Sequence, residues 1–171
     1  MNRKYIITQI TSFFLPVLVL IVVPLWIEKS IKVFSIASLI AGLLIICAGL
    51  CTVIITVSTF IRTGKGSLAP WSPPRNLVIS GIYRHVRNPM ILGVLVTLIG
   101  ESVVILSLKI LVWALAFFII NNIWFLIYEE PHLERKFGDE YRDYKKNVHR
   151  WIPKLKPFMA ETEKQKKSDN A

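Results

Sequence analysis

Long stretches of this chain lack charge altogether. No Asp, Glu, Lys, Arg or His occurs in residues 5–27, and none occurs in residues 33–61. A bilayer crossing takes about 20 consecutive apolar residues, and a soluble core needs nothing so long. Each run is therefore read as a span, and the chain as an integral membrane protein. The first run has no A-x-A-like cleavage site after it and is too long for the apolar stretch of a signal peptide. It is expected to be a retained anchor, despite the basic start "MNRKY". Pro16 and Pro24 fall inside it, where carbonyls freed by proline can be satisfied by neighbouring helices.

Cysteine is scarce. The two present, Cys47 and Cys51, stand four apart on one helix face with no His or carboxylate nearby, so they do not suggest a metal site. They are expected to be buried small apolar residues. No GxGxxG follows a strand, so the common dinucleotide fingerprint is missing. The net charge of +10 would point to nucleic acid in a soluble domain, but no binding motif accompanies it. The basic residues lie beside apolar runs, where they set topology and meet anionic lipid. The expected partner is the lipid bilayer, with neither nucleic acid nor metal.

Hydrophobic residues make up 53% of the chain, and a third apolar stretch at 90–128 is broken only by Glu101 and Lys109. At about 1.5 Å per residue it is too long for one crossing and suits a tight helical hairpin turning near residues 107–109. Glu101, close to a membrane boundary, is expected in a wet interfacial position. The fold expected is an all-α, polytopic membrane protein. It has about four transmembrane helices, at 5–27, 34–61, 89–106 and 109–128, within one domain covering 1–158. Acid is absent from residues 62–87, which hold Arg62, Lys65, Arg75, Arg84 and Arg87. Lys and Arg also crowd the segment after Tyr128. With four spans, both termini and the long loop share one side, and the positive-inside rule makes that side cytoplasmic.

The loop "GKGSLAPWSPPRNLVISG" cannot be one helix, because Pro73 and Pro74 remove donors and restrict the residue before each. After Tyr128, the residues Leu133, Phe137, Tyr141, Tyr144 and Val148 recur at helical spacing among charges. They predict a C-terminal amphipathic interfacial helix whose apolar side rests on the membrane or covers a site beneath it. Trp151 suits the interface, and residues 159–171 form a polar tail expected to be disordered.

Two polar clusters thus share one membrane face: Tyr83 to Asn88 before the third span, and Glu129-Glu130 after the fourth. An antiparallel hairpin brings them to the same side, so the basic motif is expected to face the paired carboxylates. Each part also has a plainer reading. Arg84 and Arg87 serve as topology signals, Pro89 starts a helix, and Tyr83 anchors at the interface.

In order, "SLAPWSPPRNLVISGIYRHVRNPMILG", a hairpin and "EEPHLERKFGDEYRDYKKNVHRWIP" resemble the isoprenylcysteine carboxyl methyltransferase-like family, which is related to the phospholipid methyltransferases. The resemblance covers about residues 62–156. It implies an integral membrane enzyme using S-adenosylmethionine, with cofactor motifs at 62–93 and 129–153. By position, Asn76, Leu77, Val78, Tyr83, Asn88, Pro89, Met90, Ile91 and Glu129 would bind the cofactor. Arg87 and Glu130 would position it, with no dedicated nucleophile. The chemistry is compatible. Arg84, His85 or Arg87 can neutralise a carboxylate, a glutamate can accept from an ammonium or ribose hydroxyl, and Tyr83 offers an aromatic face to adenine or sulfonium.

The chain departs from that pattern in two places. Many members read Arg-His-Pro-x-Tyr-x-Gly, where this chain has "RNPMILG", so Asn88 replaces a histidine and Ile91 a tyrosine. Protein-carboxylate methylators carry an arginine shortly before the glutamates, and "NNIWFLIYEE" has none. The methyl acceptor is accordingly read as lipophilic and otherwise open: a prenylated carboxylate, a lipid amine or another small lipophile. Two other readings stand beside it, a membrane reductase of the steroid-reductase type and a non-catalytic membrane scaffold of the same fold.

Overall fold

A computed structural model describes residues 14–30, 32–64 and 76–159. Among these the regular structure is entirely helical: α1 (Phe14–Ile27), α2 (Ile36–Gly64), α3 (Pro89–Val104), α4 (Leu108–Trp124) and α5 (Glu130–Asn147). A single 3-10 turn, Gly81–Arg84, precedes α3. The basic start of the chain, the Pro73-Pro74 pair and the polar tail from residue 160 lie outside the described residues.

Two helices are long and apolar enough to cross a membrane: α2, with 29 residues, and the continuous helix from α4 through α5. Helix α1 as described and the 16-residue α3 are apolar but shorter. The third expected span runs to 106, whereas α3 stops at Val104. Leu106 takes a positive φ of 52° there and turns the chain towards Ser107, which caps α4 by accepting from the Ile110 amide. That capping hydroxyl also donates to Glu28 at the end of α1, at 2.7 Å.

Proline explains the two irregular helical turns. In α1 a wide π-turn, Leu18–Val22, ends two residues before Pro24, and the Val23 amide bonds to Leu18. The Val19 carbonyl therefore loses its usual donor, and Pro24 has no N–H to replace it. The Trp113 indole on α4 fills the gap, donating to Val19 at 3.2 Å. A second π-turn, Phe125–Glu129, ends two residues before Pro131 and leads α4 into α5. The inserted residue sets which way Glu129 and Glu130 face.

Helices α2 and α3 meet along small residues. Gly42, Gly49 and Thr56 are buried at seven-residue spacing on α2, opposite Gly93, Thr97 and Gly100 on α3. A Cβ on Gly49 would stand 2.8 Å from the Gly93 carbonyl, and one on Gly100 2.9 Å from the Gly42 carbonyl, so only glycine lets the backbones come this close. This stripe also corrects the expectation for Cys47 and Cys51. Each lies two positions from Gly49, about 200° around the helix, and both are exposed on the outer face. The core between α3 and α4 is Val94, Leu98, Ala114 and Phe117.

Two further expectations change. Glu101, placed by sequence in a wet position, has its Oε2 buried without a hydrogen-bond partner. Helix α5 is broken at Gly138 (φ 56°) and ends at Asn147, so Val148 already lies in extended backbone. The apolar side of α5 covers chain rather than open space: Tyr141, Tyr144 and Val148 are buried against Leu77, Ile79 and Phe158.

Candidate active site

The motif before α3 and the segment after α5 are stitched together by their backbones. The Arg87 amide donates to the His149 carbonyl at 3.0 Å, and the Asn88 amide to that of Arg150 at 3.4 Å. In return, the Lys154 amide donates to His85 at 2.9 Å and the Phe158 amide to Arg84 at 3.0 Å. The His85 ring pairs with the Lys154 carbonyl at 2.6 Å, and the Tyr144 hydroxyl donates to the Tyr83 carbonyl at 2.6 Å. Residues 148–158 thus form a strap under the start of α3. Gly81, at φ 54°, makes the tight approach to the motif possible.

Inside this clasp lies a buried ion cluster. The Glu130 side chain is 5% exposed and its Oε1 accepts from Arg87 Nη1 at 2.8 Å and from Arg150 Nε at 2.7 Å. Arg150 Nη2 reaches the same oxygen at 2.7 Å, while Lys145 pairs with Oε2 at 3.2 Å. The desolvation of a buried carboxylate is offset here by three cations and short charge-assisted bonds. On α4, Asn122 Oδ1 accepts from Arg150 Nη1 and Trp151 Nε1, both at 3.0 Å. Trp151 packs beside Phe118 and Phe125, so it is anchored to α4.

Glu129 is different. It is partly buried and makes no ion pair or hydrogen bond among the described residues. Desolvation, with a smaller contribution from the neighbouring Glu130 charge, pushes its carboxyl up to about 7. Tyr83 is raised above the usual phenol range by burial and then by the Glu129 charge, which places the two groups in one electrostatic environment. Tyr141 is pushed up to about 12, chiefly by burial, although its hydroxyl accepts from Arg87 at 3.4 Å. Arg87 keeps one buried donor, Nε, without a partner.

The remaining residues fall into place around these. Asn76 is tied to the end of α2, its amide donating to Gly64 at 3.3 Å and its side chain to Thr63 at 3.4 Å. Leu77 packs under Tyr141 and Tyr144, and Val78 is buried. Pro89 is buried at the first turn of α3, Met90 is partly buried beside it, and Ile91 packs on the α3–α4 core. Asn88 sits at the N-cap with no capping bond from its side chain. The ring of His85 is committed to the strap, and Arg87 pairs with Glu130 rather than with Glu129. The surface hollows, one along α5 beside Gly138 and one at the strap, do not include Arg87, Glu129 or Tyr83. Among the described residues no group of three His, Cys, Asp or Glu side chains is placed to hold a metal.

Sequence reasoning did not find Arg150, Lys145, Asn122 or the strap. The available signal was a basic residue and a tryptophan directly following a helix whose inner face is aromatic.

The helix from α4 through α5, long and apolar enough to cross a bilayer, carries a buried polar cluster where it meets the motif before α3. Residues 37–140 match the phospholipid methyltransferase family, and the chain belongs to it. A curated relative, an uncharacterized protein from Haemophilus influenzae, is 50% identical over 36 residues, 21% of this chain and 57% of that protein. The matched stretch thus spans little more than half of that relative. No solved structure matches the chain.

Proposed function

We propose that this protein transfers a methyl group from S-adenosylmethionine to a lipophilic acceptor at the cytoplasmic face of a membrane, with both termini on that side. The observation that carries the reading is Glu129, a desolvated carboxylate with no cation of its own whose charge is felt by Tyr83; Arg87, four residues on from Tyr83, keeps an unused buried donor. A site that holds such a carboxylate suits a ligand that brings positive charge, and the spare Arg87 Nε suits one that also brings a carboxylate. S-adenosylmethionine has both, and when bound it supplies an electrophilic methyl group on a sulfonium.

The chain's residues then have simple tasks. Glu129 meets the ammonium or ribose hydroxyls, Arg87 the carboxylate, and the Tyr83 ring an aromatic or cationic face. Asn88, whose side chain makes no capping bond at the start of α3, can donate and accept beside them. Leu77, Val78 and the inner face of α5 keep water from this end of the site. No residue need form a covalent bond. Alignment and exclusion of water supply the rate enhancement. The acceptor would arrive sideways from the bilayer, either as an isoprenylcysteine-like carboxylate or as a phospholipid or other lipophile methylated on nitrogen or oxygen.

The test is calorimetric binding of S-adenosylmethionine to the detergent-purified protein, with a nicotinamide cofactor as control and Glu129→Gln alongside. Saturable binding weakened in the variant supports the proposal. Absence of binding by a folded parent would leave the non-catalytic scaffold, and binding of the control instead would favour a reductase.

A further inference from the structure

Arg150 is the only described residue whose contacts reach all three parts of the candidate site. Its Nε and Nη2 hold Glu130 Oε1, both at 2.7 Å, and its Nη1 holds Asn122 on α4 at 3.0 Å. Its carbonyl receives the Asn88 amide at 3.4 Å. The side chain is 16% exposed, so these bonds form in a largely desolvated place.

The charge count around Glu130 makes this arrangement consequential. One carboxylate faces Arg87, Arg150 and Lys145. Arg150 takes the forked share of Oε1 and Lys145 takes Oε2, which leaves Arg87 bound through Nη1 alone. Its Nε is buried and unsatisfied, a costly state for a charged donor unless something else accepts from it. Without Arg150, Glu130 would be free to draw Arg87 into a two-pronged pair, and the spare donor would be consumed.

Resting on the cofactor reading above, we propose that Arg150 is a positioning residue: by saturating Glu130 and tying the strap to α4, it keeps the Arg87 guanidinium available for the carboxylate end of the cofactor. Arg150 itself does not touch the ligand. It determines how much the site gains from a ligand carboxylate.

The experiment compares S-adenosylmethionine with its decarboxylated analogue, which keeps the ammonium and sulfonium but lacks the carboxylate. Both are titrated calorimetrically into the detergent-purified full chain. The parent should prefer the carboxylate-bearing ligand by about tenfold or more. In Arg150→Gln that preference should fall towards one, through loss of affinity for S-adenosylmethionine with little change for the analogue. Arg150→Lys, which keeps the charge but not the fork, should fall between. If Arg150→Gln does not fold, Asn122→Ala frees the same guanidinium more gently and should reduce the preference by a few-fold in the same direction. Equal weakening for both ligands would make Arg150 a merely structural residue and overturn the inference, as would an unchanged preference. A parent that binds both ligands equally would overturn the inference while sparing the cofactor reading. A parent that binds neither would overturn the cofactor reading itself.

Discussion

The Tyr144 hydroxyl donates to the carbonyl oxygen of Tyr83 across 61 residues of sequence, at 2.6 Å. Helix α5 thereby holds the backbone of the residue whose phenol feels the Glu129 charge. Burial raises the Tyr144 phenol well above its ordinary range, so it remains a donor throughout the accessible pH range.

Tyr144→Phe keeps the packing and removes only that donor. The Tyr83 carbonyl is left short of a partner, at a cost of about 1–2 kcal/mol. Thermal unfolding in detergent should detect the loss. S-adenosylmethionine affinity should fall as well, because the Tyr83 backbone loses its tether.

Glu129 gives a pH signature. Its carboxyl is raised from 4.5 to about 7 in the folded protein, so ionisation favours the unfolded chain. Its contribution to stability is fully present below pH 4.5, falls as pH rises through about 7, and stays low above. Glu129→Gln should therefore melt like the parent near pH 4.5 and higher than the parent at pH 8. Ligand binding should run the other way. The parent's affinity for S-adenosylmethionine should rise through pH 7 as the carboxylate ionises, while the variant's stays flat. Parallel melting curves at both pH values would contradict the assignment.

Gly49→Val should be severe. Its first added carbon would already stand 2.8 Å from the Gly93 carbonyl, and backbone cannot move aside as a flexible side chain can. Overpacking of this kind costs about 1–3 kcal/mol or more, and α2 and α3 would separate. The expected result is a lower melting temperature and a poorer yield of monodisperse protein, with Cys47→Val as the mild comparison on the exposed face.

Trp113→Phe tests the proline rule. The ring remains, but the Val19 carbonyl loses its replacement donor in an apolar setting, costing about 1–2 kcal/mol. Replacing Pro24 by Ala in the same background restores an N–H within α1 and should recover part of the lost melting temperature.

Much of this architecture can be read from residue patterns. The uncharged run at 33–61 marks the long α2, the nearly uncharged stretch at 90–128 marks the hairpin, and the Tyr83–Asn88 and Glu129-Glu130 clusters announce their meeting through hairpin geometry alone. Arg87 and Glu130 do meet, at 2.8 Å. What the patterns conceal is helix rotation. Seven-residue spacing of Gly42, Gly49 and Thr56 determines which face of α2 is buried, and apolar periodicity is blind to it because every other position is apolar too. Proline two positions after a wide turn displaces the register of α5. The backbone pairing of residues 84–88 with 149–158 carries no side-chain pattern at all, so Arg150 reads as one more basic residue.

The strap has a consequence for biogenesis. Synthesis runs from the N-terminus, so α1 to α4 are made before residues 148–158 exist. The hydrogen bonds that hold Arg84, His85, Arg87 and Asn88 in place come from those last residues. A nascent chain can therefore be inserted and packed while its binding site is still unformed. Competence arrives only when the strap emerges and closes on the motif, so a chain interrupted just before it would be a membrane protein without a site.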